Sequence, residues 1–269
     1  MKYKKKLGLA LGSGGPKGFV HVGVIKELVL NKIPIDFISG TSIGAWVGAH
    51  YSLFQDVGLL EEYTLGKRKE KAWALFDPTL KGGFVKGERV SKFLKEWLNN
   101  SKFKDTKIPF RAVATDILSG KPKVFSQGEL VSAVQGSMAV PAMFKPVQIG
   151  KKYYVDGGLS NPVPDDVVKK MGADVVLSVN LDNCLNKKIF TEKDLNSLTG
   201  ISRRSFDILR HYLSEYTLQD SDFVIRPSVP YFEPTLWKRY FTGKVGNDLV
   251  KVGEREARKI IPALKRALK

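Results

Sequence analysis

The chain has 269 residues, 44 of them basic and 27 acidic, for a formal net charge of +17. Its 43% hydrophobic and 26% charged residues are globular proportions and exclude a disordered chain. One cysteine, Cys184, excludes an internal disulfide framework and any Cys-rich metal site, and a three-histidine zinc centre would need all of His21, His50 and His211. The positive excess suits an anionic partner. The basic clusters at residues 2–6, 67–71 and 265–269 come without zinc-finger spacing or an RNA-binding aromatic signature, so no specific nucleic-acid recognition is expected.

The first eleven residues mimic a signal peptide, but the apolar run 7–11 is too short and stops at Gly12-Ser13-Gly14-Gly15. Residues 6–11 predict a buried strand, and 16–30 a helix with Pro16 at its first position, where a missing N–H costs nothing. A strand over 33–39 and a helix over 43–53 complete a βαβα pattern and point to an α/β fold with parallel pairing. The uncharged stretch 37–55 has transmembrane length, but Gly40, Thr41, Ser42, Gly44, Gly48, His50, Ser52 and Gln55 make it a buried turn and helix instead.

Residues 56–86 read as irregular, with Trp73, Phe76 and Phe84 among charges and a turn at Gly82-Gly83. The spacing of Val90, Phe93, Leu94, Trp97 and Leu98 predicts an amphipathic helix over 88–99. Then follow strands over 110–115 and 123–125, a helix over 129–138, a strand over 153–156, a helix over 163–171 and a strand over 175–179. A loop-rich segment over 183–200, a helix over 202–218, a strand over 223–226 and a proline-rich stretch over 227–234 lead to the C-terminal region. Its apolar spacing (Ala257, Ile260, Ile261, Leu264, Leu268) is helical, with a kink expected at Pro262. Without repeats or a linker, the expectation is one domain over 1–269, with a core of about 6–226 and a helical tail over about 235–269.

Gly40-Thr41-Ser42-Ile43-Gly44 matches the G-x-S-x-G nucleophile elbow, between a predicted strand and a predicted helix. The chemistry needs a serine on a sharp turn, and small flanking residues let backbone segments approach there. The glycine loop Gly12 to Gly18 opens the first helix, where exposed N–H groups favour an anion, either an oxyanion or a pyrophosphate. Asp36 lies at the spacing of a ribose-binding acid, but the glycine register fails because Lys17 occupies the third glycine position. Pro16 has no N–H, so a cradle must draw on Gly14, Gly15, Lys17 or Gly18.

A serine nucleophile needs a base. Ser42, Asp156 and His211 stand in the usual hydrolase order, yet His211 lies in a helical pattern without a turn, and His21 and His50 read as packing residues inside helices. Asp156-Gly157-Gly158 differs, ending a strand at an open backbone. The loop Gly14-Gly15-Pro16-Lys17-Gly18, the Gly40 to Gly44 elbow and Asp156-Gly157-Gly158, with softer matches at Ser137-Met138-Ala139-Val140-Pro141 and Asn161-Pro162, together resemble the patatin-like phospholipase family from about residue 6 to 226.

The resemblance implies a three-layer α/β/α fold with a mostly parallel sheet. It also implies a catalytic dyad of Ser42 as nucleophile and Asp156 as base with no catalytic histidine, and hydrolysis of lipid acyl esters without metal or cofactor. On that reading Gly14, Gly15, Lys17 and Gly18 form the oxyanion loop, and Gly40, Gly44, Gly157 and Gly158 complete the elbow and dyad motifs. Lys17 departs from the family's arginine and lacks its planar fork. Alternatives on the same fold are a non-catalytic lipid-binding module and an acyltransferase. The expected partners are phospholipid or other acyl-ester substrates; the basic clusters with Trp73, Phe76 and Phe84 fit either contact with an anionic membrane surface or core aromatics beneath a solubilising charged surface. The expected location is cytoplasmic, with peripheral membrane association.

Overall fold

The computed structural model describes residues 3–66, 68–75, 77–79, 82–182, 195–229 and 245–269. Expectations on Lys67, Phe76, Cys184, most of the 183–200 segment, the proline-rich stretch beyond 229 and the start of the C-terminal tail lie outside the described residues.

β1 (Leu7–Leu11) is apolar but for one glycine and buried throughout, as a central parallel strand must be. Its alternate side chains split between two layers: Leu7, Leu9 and Leu11 join the main core, while Ala10 packs with Val163, Val168, Ala173 and Val176 on the other face. A single 3-10 turn (Gly15–Gly18), with Pro16 near its start, leads into α1 (Phe19–Leu30). β2 (Phe37–Thr41) and α2 (Ile43–Phe54) follow. The second strand therefore starts later than its composition suggested. Ile33 and Ile35 are buried as part of the linking segment, and Asp36 accepts the Leu7 N–H at 2.7 Å. That bond places Asp36 at the strand starts, the opposite end of β1 from the glycine loop.

The segment read as irregular holds two helices, α3 (Val57–Leu65) and α4 (Arg68–Leu75). Asp56 caps the first by accepting the Leu59 N–H at 2.9 Å. The buried Lys71 ammonium closes its other end on the carbonyls of Tyr63, Thr64 and Gly66 at 2.9, 2.6 and 3.0 Å. α5 (Glu88–Trp97) buries Val90, Phe93, Leu94 and Trp97 at helical spacing. β3 (Phe110–Asp116), β4 (Pro122–Phe125) and α6 (Leu130–Ser137) match expectation, but β5 (Val147–Ile149) was not anticipated. β6 (Lys152–Asp156), α7 (Asp165–Lys170), β7 (Val175–Val179), α8 (Leu198–Thr217), β8 (Phe223–Ile225) and α9 (Val245–Ala267) complete the described elements. α8 starts inside the segment expected to be loop-rich. α9 continues past Pro262 and buries Leu249, Val250, Ala257, Ile261 and Leu264 against α1 and the main core, so this helix is part of the core.

The sheet order is β5-β6-β3-β2-β1-β7-β8, with β4 also on β3. β3, β2, β1, β7 and β8 pair in parallel, and β4, β5 and β6 are antiparallel additions. Helices α1, α2 and α9 cover one face and α7 the other, a three-layer α/β/α arrangement.

One feature of the register positions the site. β3 pairs with β2 up to Val113↔Thr41 and with β6 from Ala114↔Asp156 onward, while β4 overlaps both stretches and so occupies the other edge. β2 and the antiparallel β6 thus lie end to end along one side of β3. Thr41 and Asp156 face consecutive residues, and Ser42 and Asp156 are brought together by a shared template strand.

Candidate active site

Ser42 sits between β2 and α2 with φ 56° and ψ −122°, a strained conformation for a residue with a side chain. The turn is tight enough to demand glycine on its far side. A Cβ on Gly44 would lie 2.0 Å from the Leu11 carbonyl oxygen, and one on Gly40 would lie 2.4 Å from the Gly44 carbonyl oxygen. The Ser42 N–H donates to Ser137 Oγ at 2.8 Å, and Ser137 Oγ donates to the Val113 carbonyl at 2.5 Å. Ser137 thus ties the elbow to β3 from the end of α6.

The Ser42 hydroxyl donates to Asp156 Oδ2 at 2.6 Å, and the Gly158 N–H donates to Asp156 Oδ1 at 2.7 Å. Both side chains are buried. Burial pushes the Asp156 carboxyl above the ordinary carboxylate range. The Ser42 hydrogen bond, the Arg210 charge and the Gly158 N–H pull it back, and Asp182 adds to the rise. The Asp156 main chain is fixed as well: its N–H donates to the Ala139 carbonyl and its carbonyl accepts from Thr115 Oγ1, both at 2.9 Å.

The glycine loop packs onto both halves of this pair. Gly18 is so close to the elbow that a Cβ there would meet Ile43 Cγ1 at 2.1 Å, and Ser13 lies against Gly158. The Ser13 N–H donates to the Pro162 carbonyl at 2.8 Å, and Thr41 Oγ1 donates to the Asn161 carbonyl at 2.9 Å, so Asn161-Pro162 stitches the loop to β2. The N–H groups of Gly14 and Gly15 precede the first hydrogen bond of the 3-10 turn, which runs from the Lys17 N–H to the Gly14 carbonyl at 3.3 Å. Lys17 therefore departs from its expected part as an oxyanion donor. Its N–H is already donated, and its buried ammonium donates to the Leu181 carbonyl and lies 3.7 Å from Asp182 Oδ1.

The Ser42 hydroxyl is bonded to Asp156 and not to an imidazole, and His211 Nδ1 lies 3.1 Å from the Asp182 carbonyl oxygen. His21 and His50 are buried in helices, and burial lowers each to about 4. Three residues at the site were not anticipated as functional: Ser137, Asp182 and Arg210. Only Ser137 carried a sequence signal, as the first residue of Ser137-Met138-Ala139-Val140-Pro141.

A serine at a strained strand-to-helix turn, bonded to a buried carboxyl above the C-terminal ends of a parallel sheet, is the geometry of a G-x-S-x-G elbow on an α/β fold. Comparison with known proteins makes this specific. The family model described as patatin-like phospholipase matches residues 9–168, and the chain belongs to that family. Among curated relatives, an uncharacterized NTE family protein of Mycobacterium tuberculosis is 31% identical over 181 residues, covering 66% of this chain and 49% of that protein. Lysophospholipase nte1 of Aspergillus fumigatus is 31% identical over 183 residues, covering 66% of this chain and 12% of that protein. Human patatin-like phospholipase domain-containing protein 6 is 29% identical over 208 residues, covering 72% and 14%. The chain thus spans about half the length of the mycobacterial relative and a small part of the other two. Among solved structures, VipD from Legionella pneumophila superposes with a TM-score of 0.55 at 13% identity, covering 97% of this chain and 67% of that one, a likeness of fold.

Proposed function

We propose that this chain is a lipid acyl hydrolase in which Ser42 is the nucleophile and Asp156 its only base. The observation that carries this reading is the 2.6 Å hydrogen bond from Ser42 Oγ to Asp156 Oδ2 at a strained elbow. Asp156 takes the hydroxyl proton as Oγ attacks the ester carbonyl, then returns that proton to the departing alcohol, leaving an acyl-enzyme. Water bound in the vacated space gives a proton to Asp156 and its oxygen to the acyl carbon. The fatty acid leaves, and the proton goes back to Ser42 Oγ. The Gly14 and Gly15 N–H groups, with that of Ile43, receive the oxyanion, with Gly18 setting the loop against the elbow; one such donor contributes about 2.7–4 kcal/mol in measured oxyanion holes.

A buried carboxyl whose affinity for protons is raised is the stronger base, which suits a dyad without imidazole. The lysophospholipase among the relatives supports a lipid ester as substrate.

Exposed aromatic side chains support contact with an anionic bilayer. Phe84 is 68% exposed, and its N–H donates to the Ala142 and Met143 carbonyls, close along the chain to the Ala139 carbonyl that holds Asp156. Trp73 is 46% exposed, with Arg89 and Lys92 over its ring at 4.7 and 5.8 Å. No helix among the described residues is long and apolar enough to cross a membrane. The test is labelling with a fluorophosphonate beside turnover of a lipid panel. The expected result is an adduct on Ser42 and loss of both signals in Ser42→Ala; labelling or turnover that survives that substitution overturns the assignment.

A further inference from the structure

Helix α8 sends one side chain to the site that the mechanism above leaves unused. A single nitrogen of Arg210, Nη2, donates to Ser13 Oγ at 3.0 Å and to the two carboxylate oxygens of Asp182 at 2.7 and 3.0 Å. Ser13 Oγ itself donates to Asp182 Oδ2 at 3.0 Å, closing a three-membered network. Ser13 immediately precedes Gly14. On its other side, a Cβ placed on Gly158 would meet Ser13 Oγ at 3.1 Å and Asp156 Oδ1 at 2.9 Å, so the Ser13 hydroxyl and the base lie on the same glycine. Arg210 Nε is buried with no hydrogen-bond partner among the described residues. The guanidinium thus leaves one donor unsatisfied while Nη2 serves three acceptors, which marks the Ser13–Asp182 bridge as the interaction that fixes its pose.

We propose that Arg210 is a positioning residue for acyl transfer: it holds Ser13, and with it the Gly14 and Gly15 donors, in register with Ser42, and it presents a positive charge to Asp156. The inference rests on the Ser42–Asp156 reading. The groups around Asp156 are Ser42 from the elbow, the Gly158 N–H, Arg210 from α8 and Asp182 beyond β7, with Lys17 of the glycine loop joined to Asp182. Arg210 and Asp182 act on the base in opposite senses. Removing the cation leaves Asp182 facing Asp156, so the base binds its proton more tightly.

The experiment measures turnover of a soluble short-chain p-nitrophenyl ester from about pH 4 to 9 for Arg210→Met, Arg210→Lys and Ser13→Ala, with Ser42→Ala as control. For Arg210→Met the expected result is a kcat lower by about tenfold or more, KM within about twofold, and an acid limb of kcat/KM moved to higher pH. Arg210→Lys keeps the acid limb in place and recovers part of kcat, and Ser13→Ala lowers kcat with the limb unmoved. An Arg210→Met protein with wild-type kcat and acid limb overturns the proposal. If that variant does not fold, wild-type kcat in both Arg210→Lys and Ser13→Ala overturns it equally. Turnover surviving in Ser42→Ala would instead reject the dyad itself.

Discussion

Gly157→Ala tests the end-to-end arrangement of β2 and β6 without touching either side chain of the proposed dyad. A Cβ at this position would lie 2.2 Å from the Val113 carbonyl oxygen and 2.9 Å from Thr41 Cγ2. The Val113 oxygen is backbone of the β3–β2 ladder at the pair Thr41↔Val113 and cannot rotate away as a side-chain tip would, and the Thr41 rotamer is held by its Oγ1 donating to the Asn161 carbonyl. To reach even the 3.0 Å that real Cβ atoms respect, the contact with Val113 must open by about 0.8 Å, and the residue that moves first is the adjacent Asp156. The Ser42–Asp156 hydrogen bond, now 2.6 Å, then passes beyond hydrogen-bonding distance. A misplacement of about 1 Å at a reacting group costs on the order of 10²-fold in rate, and overpacking of this kind costs about 1–3 kcal/mol of stability. Ester turnover and urea unfolding of the same preparations give both numbers. Gly136→Ala is the control, because its added Cβ would meet nothing closer than Tyr154 Cβ at 3.4 Å and sits in a helix. If Gly157→Ala turns over ester within about twofold of the parent while Gly136→Ala behaves as expected, the site is not built on that close approach.

Asp156→Asn should abolish turnover yet make the protein more stable at neutral pH. The folded carboxyl binds its proton more tightly than the unfolded one, so stability falls as pH rises from the unfolded value of 3.8 through the folded one, and the amide escapes that loss. Urea midpoints at pH 3 and 7 check this; an equal effect at both would contradict a raised Asp156. The buried His21 and His50 work in the other direction. Each is held to about 4 when folded against an unfolded value of 6.5, so stability declines as pH falls through that window. In His50→Leu the decline should become shallower, and melting temperatures across that range would show it; an unchanged slope would mean that His50 does not stay neutral.

The α/β class and the elbow were legible in the sequence because their causes are local. A short apolar run, a glycine cluster and a proline at a helix start specify β1 and the turn after it whatever the rest of the chain does. The helices α3 and α4 were not legible. α4 reads Arg-Lys-Glu-Lys-Ala-Trp-Ala-Leu, a mostly polar stretch with little apolar periodicity, and it leans on α5 and on the Lys71 contacts with the end of α3. β5 has only three residues, of which Val147 and Ile149 are half-buried, too short a run to signal a strand before it pairs with β6 and packs on α6.

The sequence by itself determined the parts: a serine that only a glycine-flanked turn can hold, an acid before two glycines, and a loop of exposed N–H groups. Their meeting was decided by the tertiary structure. Ser42 and Asp156 are 114 residues apart, and what joins them is the succession of β2 and β6 along one edge of β3. Arg210 stands 197 residues from the Ser13 hydroxyl it holds, on a helix whose sequence gives no hint of that contact. Turn chemistry acts between neighbours in the chain and can be read from them. Strand register and side-chain bridging depend on how distant segments are packed, and become visible only when the sheet is assembled.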